Sequence, residues 1–336
     1  CLLSRGLGDV YKRQLDKEPF VYTARAHSKV NIHLGVDEPR EDGFHELASV
    51  FQSLKLHDTV TLTDLGSPEV DKPRIQGLTV TGPHANGVPE DYTNLAWTAV
   101  NRIMQYLYTT HGPKALPKVA LEIHKAIPTA GGMAGGSADA AAALRLAERC
   151  YGGYYGIDSV GEPILDALGA ALGSDVPFTL LGGTALGTGR GEQLTPMMAR
   201  GTYHWALIAS HRGLSTPQVF QKLDEMREKG RGGEPHMDTA AVSQALISGA
   251  PERVAQHLHN DLQPAALSLR PDLRKTLEAG MAAGALQGIV SGSGPTCAFL
   301  CAGAEEAREV VSQVTVEIPG TKGVATQGPA SGAVVL

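Results

Sequence analysis

The stretch P-T-A-G-G-M-A-G-G-S-A-D-A-A, Pro128–Ala141, constrains this chain more than any other part of it. Four glycines and a serine run straight into alanines that carry a helix over about Ala138–Cys150. Glycine lets a backbone turn tightly and approach a ligand with no Cβ in the way, at an entropic cost that a plain turn would not incur four times. The helix start adds unpaired N–H groups and the positive end of a dipole. Together these make a cradle for phosphate; the plainer alternative is a glycine turn ahead of a core helix. The loop is not a Walker A motif. Gly131 and Gly136 have the right separation, but Ser137 stands where the lysine belongs. The other glycine run, Gly187, Gly189 and Gly191, misses the third spacing of the dinucleotide fingerprint. Main-chain amides are therefore expected to hold the phosphates, with the Ser137 hydroxyl free for Mg²⁺ or a phosphate oxygen.

A chain of 336 residues is too long for one ordinary core. A break near Pro196–Gly201 divides it into 20–197 and 198–336. A net charge of −6 with no basic run argues against nucleic acid. No stretch approaches the roughly 20 apolar residues that span a bilayer. Cys1, Cys150, Cys297 and Cys301 show no zinc spacing and read as thiols of a reducing cytoplasm. His257 and His259 could share a metal if extended, but H-L-H-N-D reads as a helix end. Residues 1–19 lack the apolar core of a signal peptide and read as foreign or disordered. A monomer or weak homodimer is expected.

Strands are expected at Phe20–Gly35, Phe44–Phe51, Thr59–Thr63, Val119–His124, Trp205–Ser210, Ile289–Val290 and Thr296–Cys301. Helical periodicity marks Asn94–Thr109, Ser159–Leu172, Thr239–Ser248, Pro251–Leu258, Asp272–Ala283 and Glu305–Val314. Gly173 falls at the expected C′ place of the second of these. Pro177 is expected to block helix after Asp175. Thr216-Pro217 reads as the N-cap and first residue of a further helix, Thr216–Lys222. A second glycine turn, S-G-S-G-P, spans Ser291–Pro295.

Two carboxylate and cation positions carry the chemistry. Asp175 lies in a glycine-serine turn before an apolar run that could wall off water, which suits a proton acceptor; the alternative is a turn cap. Lys29 lies mid-strand among apolar neighbours, a poor place for a cation unless it is paired. The alternative is an edge-strand lysine reaching water.

Three motifs in this order, A-H-S-K-V-N at Ala26–Asn31, the Pro128–Ala141 loop and S-G-S-G-P-T-C at Ser291–Cys297, resemble the GHMP kinase superfamily over about residues 20–320. K-V-N-I-H-L-G, D-G-F-H-E-L with F-Q-S-L, and G-S-D-V-P-F narrow the resemblance to the branch that phosphorylates a cytidine diphosphate-linked methylerythritol for isoprenoid synthesis. The resemblance implies an α+β fold, with an S5-domain-2-like N-terminal half and a ferredoxin-like C-terminal half. It implies ATP and Mg²⁺ at the loop residues Pro128, Ala130, Gly131, Gly132, Met133, Ala134, Gly135, Gly136 and Ser137, with Asn94 and Lys125 near the adenine or ribose. Lys125 as a solvated surface residue is the alternative.

The resemblance also implies that Lys29 and Asp175 work as a pair and that Asn31 orients the acceptor. It places cytosine on His45 between Phe44 and Phe220, with Phe51 nearby; core packing is the alternative for Phe44 and Phe51. Two departures stand out. His27-Ser28 replaces the family's usual proline-containing pair, and Phe44 replaces a tyrosine, losing its hydroxyl. Rival readings are a superfamily kinase for homoserine, mevalonate or a sugar, and a nucleotide-binding protein without catalysis. The Gly43–Leu47 segment argues against the first, and retention of both Lys29 and Asp175 against the second.

Overall fold

The computed structural model describes residues 19–336 apart from 67, 69–74, 130 and 211. The expectation for residues 1–19 therefore falls, but for Pro19, outside the described residues, as does that for Ala130. The chain begins with β1 (Phe20–Pro39) and β2 (His45–Asp64), two 20-residue strands paired antiparallel along their length. The sequence separates Phe44–Phe51 from Thr59–Thr63, yet they form one strand. Gln52–Asp58 contains no glycine or proline to break it, and the ribbon absorbs its length through register shifts at His27/Ser28 and Asn31/His33. Residues two apart share a face of a strand, so Lys29 and Asn31 point the same way, opposite Ser53 and Phe51 of β2.

After β3 (Ile75–Thr81) come α1 (Leu95–His111), β4 (Val119–His124) and α2 (Gly135–Tyr155). Helix α2 starts earlier and runs longer than the alanine pattern suggests, because Gly135 and Gly136 form its first turn. Next are α3 (Glu162–Leu172), α4 (Val176–Leu181), β5 (Thr184–Thr188) and β6 (Gln193–Pro196). Gly161 has φ 93° and delays α3 by three residues relative to expectation. Gly173 ends α3 in extended backbone, φ 175°, and not in the left-handed C′ geometry. Pro177 does not block helix. It occupies the first turn of α4, where the missing N–H is not needed.

The second half holds β7 (Tyr203–Ser210), α5 (Thr216–Glu228), α6 (Ala240–Ser248), α7 (Pro251–Ala255), β8 (His259–Asn260), α8 (Gln263–Leu269) and α9 (Asp272–Ala282). It closes with β9 (Gln287–Val290), β10 (Cys297–Cys301), α10 (Ala304–Glu317), β11 (Thr321–Gly328) and β12 (Val334–Val335). Ser215, not Thr216, is the N-cap of α5. His259 is extended in β8, paired parallel to β1, and not at a helix end.

One sheet runs β12-β1-β2-β4-β3, with β5 and β6 continuing from β2 and β8 beside β1; the other runs β11-β7-β10-β9. The first sheet buries Val30, Ile32, Val60, Leu62 and Ile123 together with Val100 and Ile103 of α1 and the alanine face of α2. The second buries Ala206, Ile208, Phe299 and Cys297 with Val310 and Val314 of α10. Trp205 of β7 is fully buried, and its indole N–H donates to the Gln52 side-chain carbonyl of β2 at 3.1 Å, joining the two sheets. Gln52→Leu strands that donor in the core. It should lower unfolding stability by about 1–3 kcal/mol, measured by urea titration.

Candidate active site

The glycine loop is held from below by three buried charges. The Lys125 ammonium is 1% exposed and contacts Asp58 of β2, with Asp139 of α2 at 2.6 Å. The other oxygen of Asp58 accepts the N–H groups of Ala126 and Ile127 at 2.6 and 2.8 Å, at the entry to the loop. Burial works against the Lys125 charge, but Asp139 and Asp58 outweigh it and push its pKa up. Burial pushes the Asp139 carboxyl well above the usual carboxylate range, against the pull of Lys125, and the charge of Asp58 adds to the rise. Lys125 is thus no surface lysine.

The second glycine turn closes on the first. A Cβ on Gly132 (φ 71°) would meet the Ser291 carbonyl at 2.3 Å, so only glycine fits there. Ser291 Oγ donates to the Gly132 carbonyl at 3.3 Å. Ala134 has φ 58°, the one described non-glycine residue in the left-handed region, and is the N-cap position of α2. Such backbone costs of order 1–3 kcal/mol and marks a loop whose shape its surroundings impose.

Two hollows meet at this loop. The smaller, about 320 Å³, is lined by Pro128, Gly131–Gly136, Lys125 and Asn94, bringing together nearly all the residues expected to bind ATP. Asn94 serves as the N-cap of α1: its carbonyl accepts from Ala96 N and its amide donates to Pro89 O. Ser137, half-buried in the first turn of α2, lies outside the lining of both hollows. The larger hollow, about 700 Å³, is lined by Lys29, Asn31, Phe44, His45, Phe51, Asp175 and Phe220. Gly132 lines both.

In the larger hollow, Lys29 Nζ stands 3.6 Å from Asp175 Oδ2. The lysine is buried and the aspartate is about one-third exposed. Asn31 accepts from Lys29 Nζ at 2.8 Å and donates to Ser49 Oγ at 2.7 Å, so it fixes the ammonium position. Lys29 Nζ lies 5.2 Å above the Phe51 ring, which stacks on Phe178 at 4.9 Å. Phe51 is therefore both core and wall. Asp175 occupies the N-cap position of α4 but its side chain makes no capping bond, so the carboxylate faces the hollow and not its own helix. The backbone N–H of Lys29 donates to Met133 O at 3.3 Å, tying the pair to the glycine loop.

At the far end of this hollow, His45 Nε2 bonds Asp224 Oδ1 at 2.8 Å, and its ring packs 5.0 Å from Phe220. Phe44 is half exposed and is not core; the Arg190 guanidinium lies 5.1 Å over its ring. Asp224, Arg190, Asp58 and Asp139 join the site without having been expected from the sequence. Phe220 and Asp224 are one helical turn apart on α5, a spacing that places both on one face. Asp139 is a lone charge in an alanine run, which could have marked a buried partner.

The family descriptions for the GHMP kinase N-terminal and C-terminal domains match residues 94–183 and 242–317. A 4-diphosphocytidyl-2-C-methyl-D-erythritol kinase of Corynebacterium diphtheriae is 54% identical over 318 residues, covering 94% of this chain and 97% of that protein. The chain belongs to the 4-diphosphocytidyl-2-C-methyl-D-erythritol kinase family of GHMP kinases. A family member from Nocardia farcinica is 48% identical, covering 95% of this chain and 97% of its own length. A solved 4-(cytidine 5'-diphospho)-2C-methyl-D-erythritol kinase superposes with TM-score 0.70 at 30% identity, over 92% of this chain and all of that one. Mevalonate kinase of L. major reaches TM-score 0.71 at 14% identity, over 94% and 98% of the two chains, a likeness of fold alone. The fold is the α+β GHMP kinase fold, and the GHMP kinase family uses ATP.

In this GHMP kinase, Lys125→Met leaves two carboxylates buried without their cation. Stability near neutral pH should fall by about 3–5 kcal/mol, and by less in acid, where protons neutralise the stranded groups. Chemical denaturation at two pH values measures both.

Proposed function

We infer that this GHMP kinase transfers the γ-phosphoryl group of ATP to the 2-hydroxyl of 4-diphosphocytidyl-2-C-methyl-D-erythritol, a step in the non-mevalonate route to isoprenoid precursors. The observation that carries this reading is the Lys29–Asp175 pair in a hollow that shares Gly132 with the loop hollow. The family members named for this substrate, at about half identity over nearly the full chain, support it.

The residues present fit a nucleotide. The glycine loop offers main-chain amides at a helix start. The buried Thr296 hydroxyl, 2.6 Å from where a Gly131 Cβ would stand, has no hydrogen-bond partner among the described residues and faces the same loop. Mg²⁺ would neutralise charge on the phosphates, and Ser137, in the first turn of α2, is our choice for the protein oxygen that meets it.

Phosphoryl transfer needs positioning and charge more than covalent chemistry from the protein. As the acceptor oxygen bonds the γ-phosphorus, the bond to the bridging oxygen of ADP breaks and the hydroxyl proton passes to Asp175. Lys29, held by Asn31 and 3.6 Å from Asp175, faces the phosphoryl oxygens during transfer. At the other end His45, Phe44 and Phe220 receive the cytosine, with aromatic faces for stacking. Arg190 supplies charge toward the substrate diphosphate. We place the enzyme in the cytoplasm as a monomer or weak homodimer. Among the described residues no helix is long and apolar enough to cross a membrane.

Incubation with ATP, Mg²⁺ and the cytidylyl substrate should yield ADP and the phosphorylated alcohol. Asp175→Asn and Lys29→Ala should each cut turnover by at least about 100-fold with unchanged circular dichroism. Near-normal turnover in either removes that residue from its role. In an acceptor panel, 2-C-methyl-D-erythritol without cytidine, homoserine and mevalonate should be poor substrates. Equal use of the cytidine-free alcohol would refute the cytosine pocket.

A further inference from the structure

Outside the cleft, three potential metal ligands converge where the loop after α5 lies on β1. Asp261 is buried, and its Oδ2 accepts the backbone N–H groups of Val36 at 2.8 Å and His236 at 3.0 Å. This fixes the carboxylate, leaving Oδ1 toward two imidazoles. His259 Nε2 is 2.6 Å from Oδ1 and His236 Nδ1 is 3.8 Å from it. The three ligand atoms all lie within 4.8 Å of one another. Zinc bound at about 2.0–2.2 Å to each of three tetrahedral ligands sets them roughly 3.3–3.5 Å apart, so the observed separations straddle the required one.

The loop is not free to drift. A Cβ on Gly35 would stand 2.0 Å from the His236 carbonyl, so the loop backbone sits flush on β1. His33, buried on β1, donates its Nε2 proton to that same carbonyl at 2.8 Å. Ligating carboxylates are commonly oriented by hydrogen bonds of this kind.

We propose that His236, His259 and Asp261 form a site for a divalent transition metal of the zinc class, with water completing the coordination. Two imidazoles and one carboxylate suit zinc, cobalt or nickel, whereas magnesium and calcium want oxygen ligands. The exposed His236 ring must turn from the Glu234 carbonyl, 3.4 Å from its Nδ1. Arg227 Nη2, 3.6 Å from Asp261 Oδ2, already offsets part of the carboxylate charge and moderates affinity. The ion clamps the loop to β8 and to Asp261, which follows it. Asn260, between His259 and Asp261, donates to the carbonyls of Val290 and Gly292, so the clamp braces the turn that closes on Gly132.

The test is calorimetric titration of zinc ion into the tag-free, chelator-washed full chain, with Co²⁺ absorption as a second readout and Mg²⁺ as control. One equivalent of zinc should bind and raise the thermal midpoint, and Mg²⁺ should give no such binding at this site. His236→Ala, a change at an exposed ring, and His259→Ala should each weaken binding at least about tenfold. His257→Ala, outside the cluster, should leave it unchanged. If His259→Ala unfolds, His236→Ala decides alone. Absence of stoichiometric zinc uptake, uptake indifferent to His236, or equal loss in His257→Ala would overturn the site.

Discussion

Everything in the cleft rests on the buried contact of Lys125 with Asp58 and Asp139. Asp58 belongs to the central strand, Asp139 to the helix that follows the glycine loop, and Lys125 to the segment that enters it. Three ionisable groups in an otherwise apolar interior would be costly apart and are tolerable only together. Because Asp58 also takes two loop amides, strand, loop and helix share one anchor. The loop's position relative to β1 follows from this, and so does the reach of Lys29, whose backbone N–H joins Met133.

The Lys29–Asp175 pair shows how a mid-strand cation is accommodated. Lys29 faces the same side of β1 as Asn31, and the register opposite Phe51 gives both an aromatic floor. Asn31 and Ser49 position the ammonium without neutralising it. That leaves Asp175 as its one described carboxylate partner, at the N-cap position of a helix to which its side chain makes no capping bond. The lysine is buried, whereas Asp175 stays about one-third exposed toward the hollow.

Much of this was legible in the chain. The glycine loop, the lone Lys29 and the Asp175 turn announced themselves because each violates local preference: too many glycines, a charge in a strand, a carboxylate before apolar residues. The long β2 was harder, since Gln52–Asp58 is polar enough to read as a connection although nothing in it breaks a strand. The α4 helix was missed because a proline stops a helix in its middle but not in its first turn. Asp58, Arg190 and Asp224 were invisible for another reason. Each acquires its role from a residue far away in the sequence, 67, 146 and 179 positions respectively, and no local pattern records such a meeting.

The shared residue Gly132 has a further consequence for chemistry aimed at this protein. A single compound reaching from the loop hollow into the larger one would pass Gly132 at a point where no side chain can be tolerated, because the Ser291 carbonyl fills the space. Escape from such a compound by enlarging that crossing point would force the two glycine turns apart, so resistance there would come only at the expense of the catalyst itself.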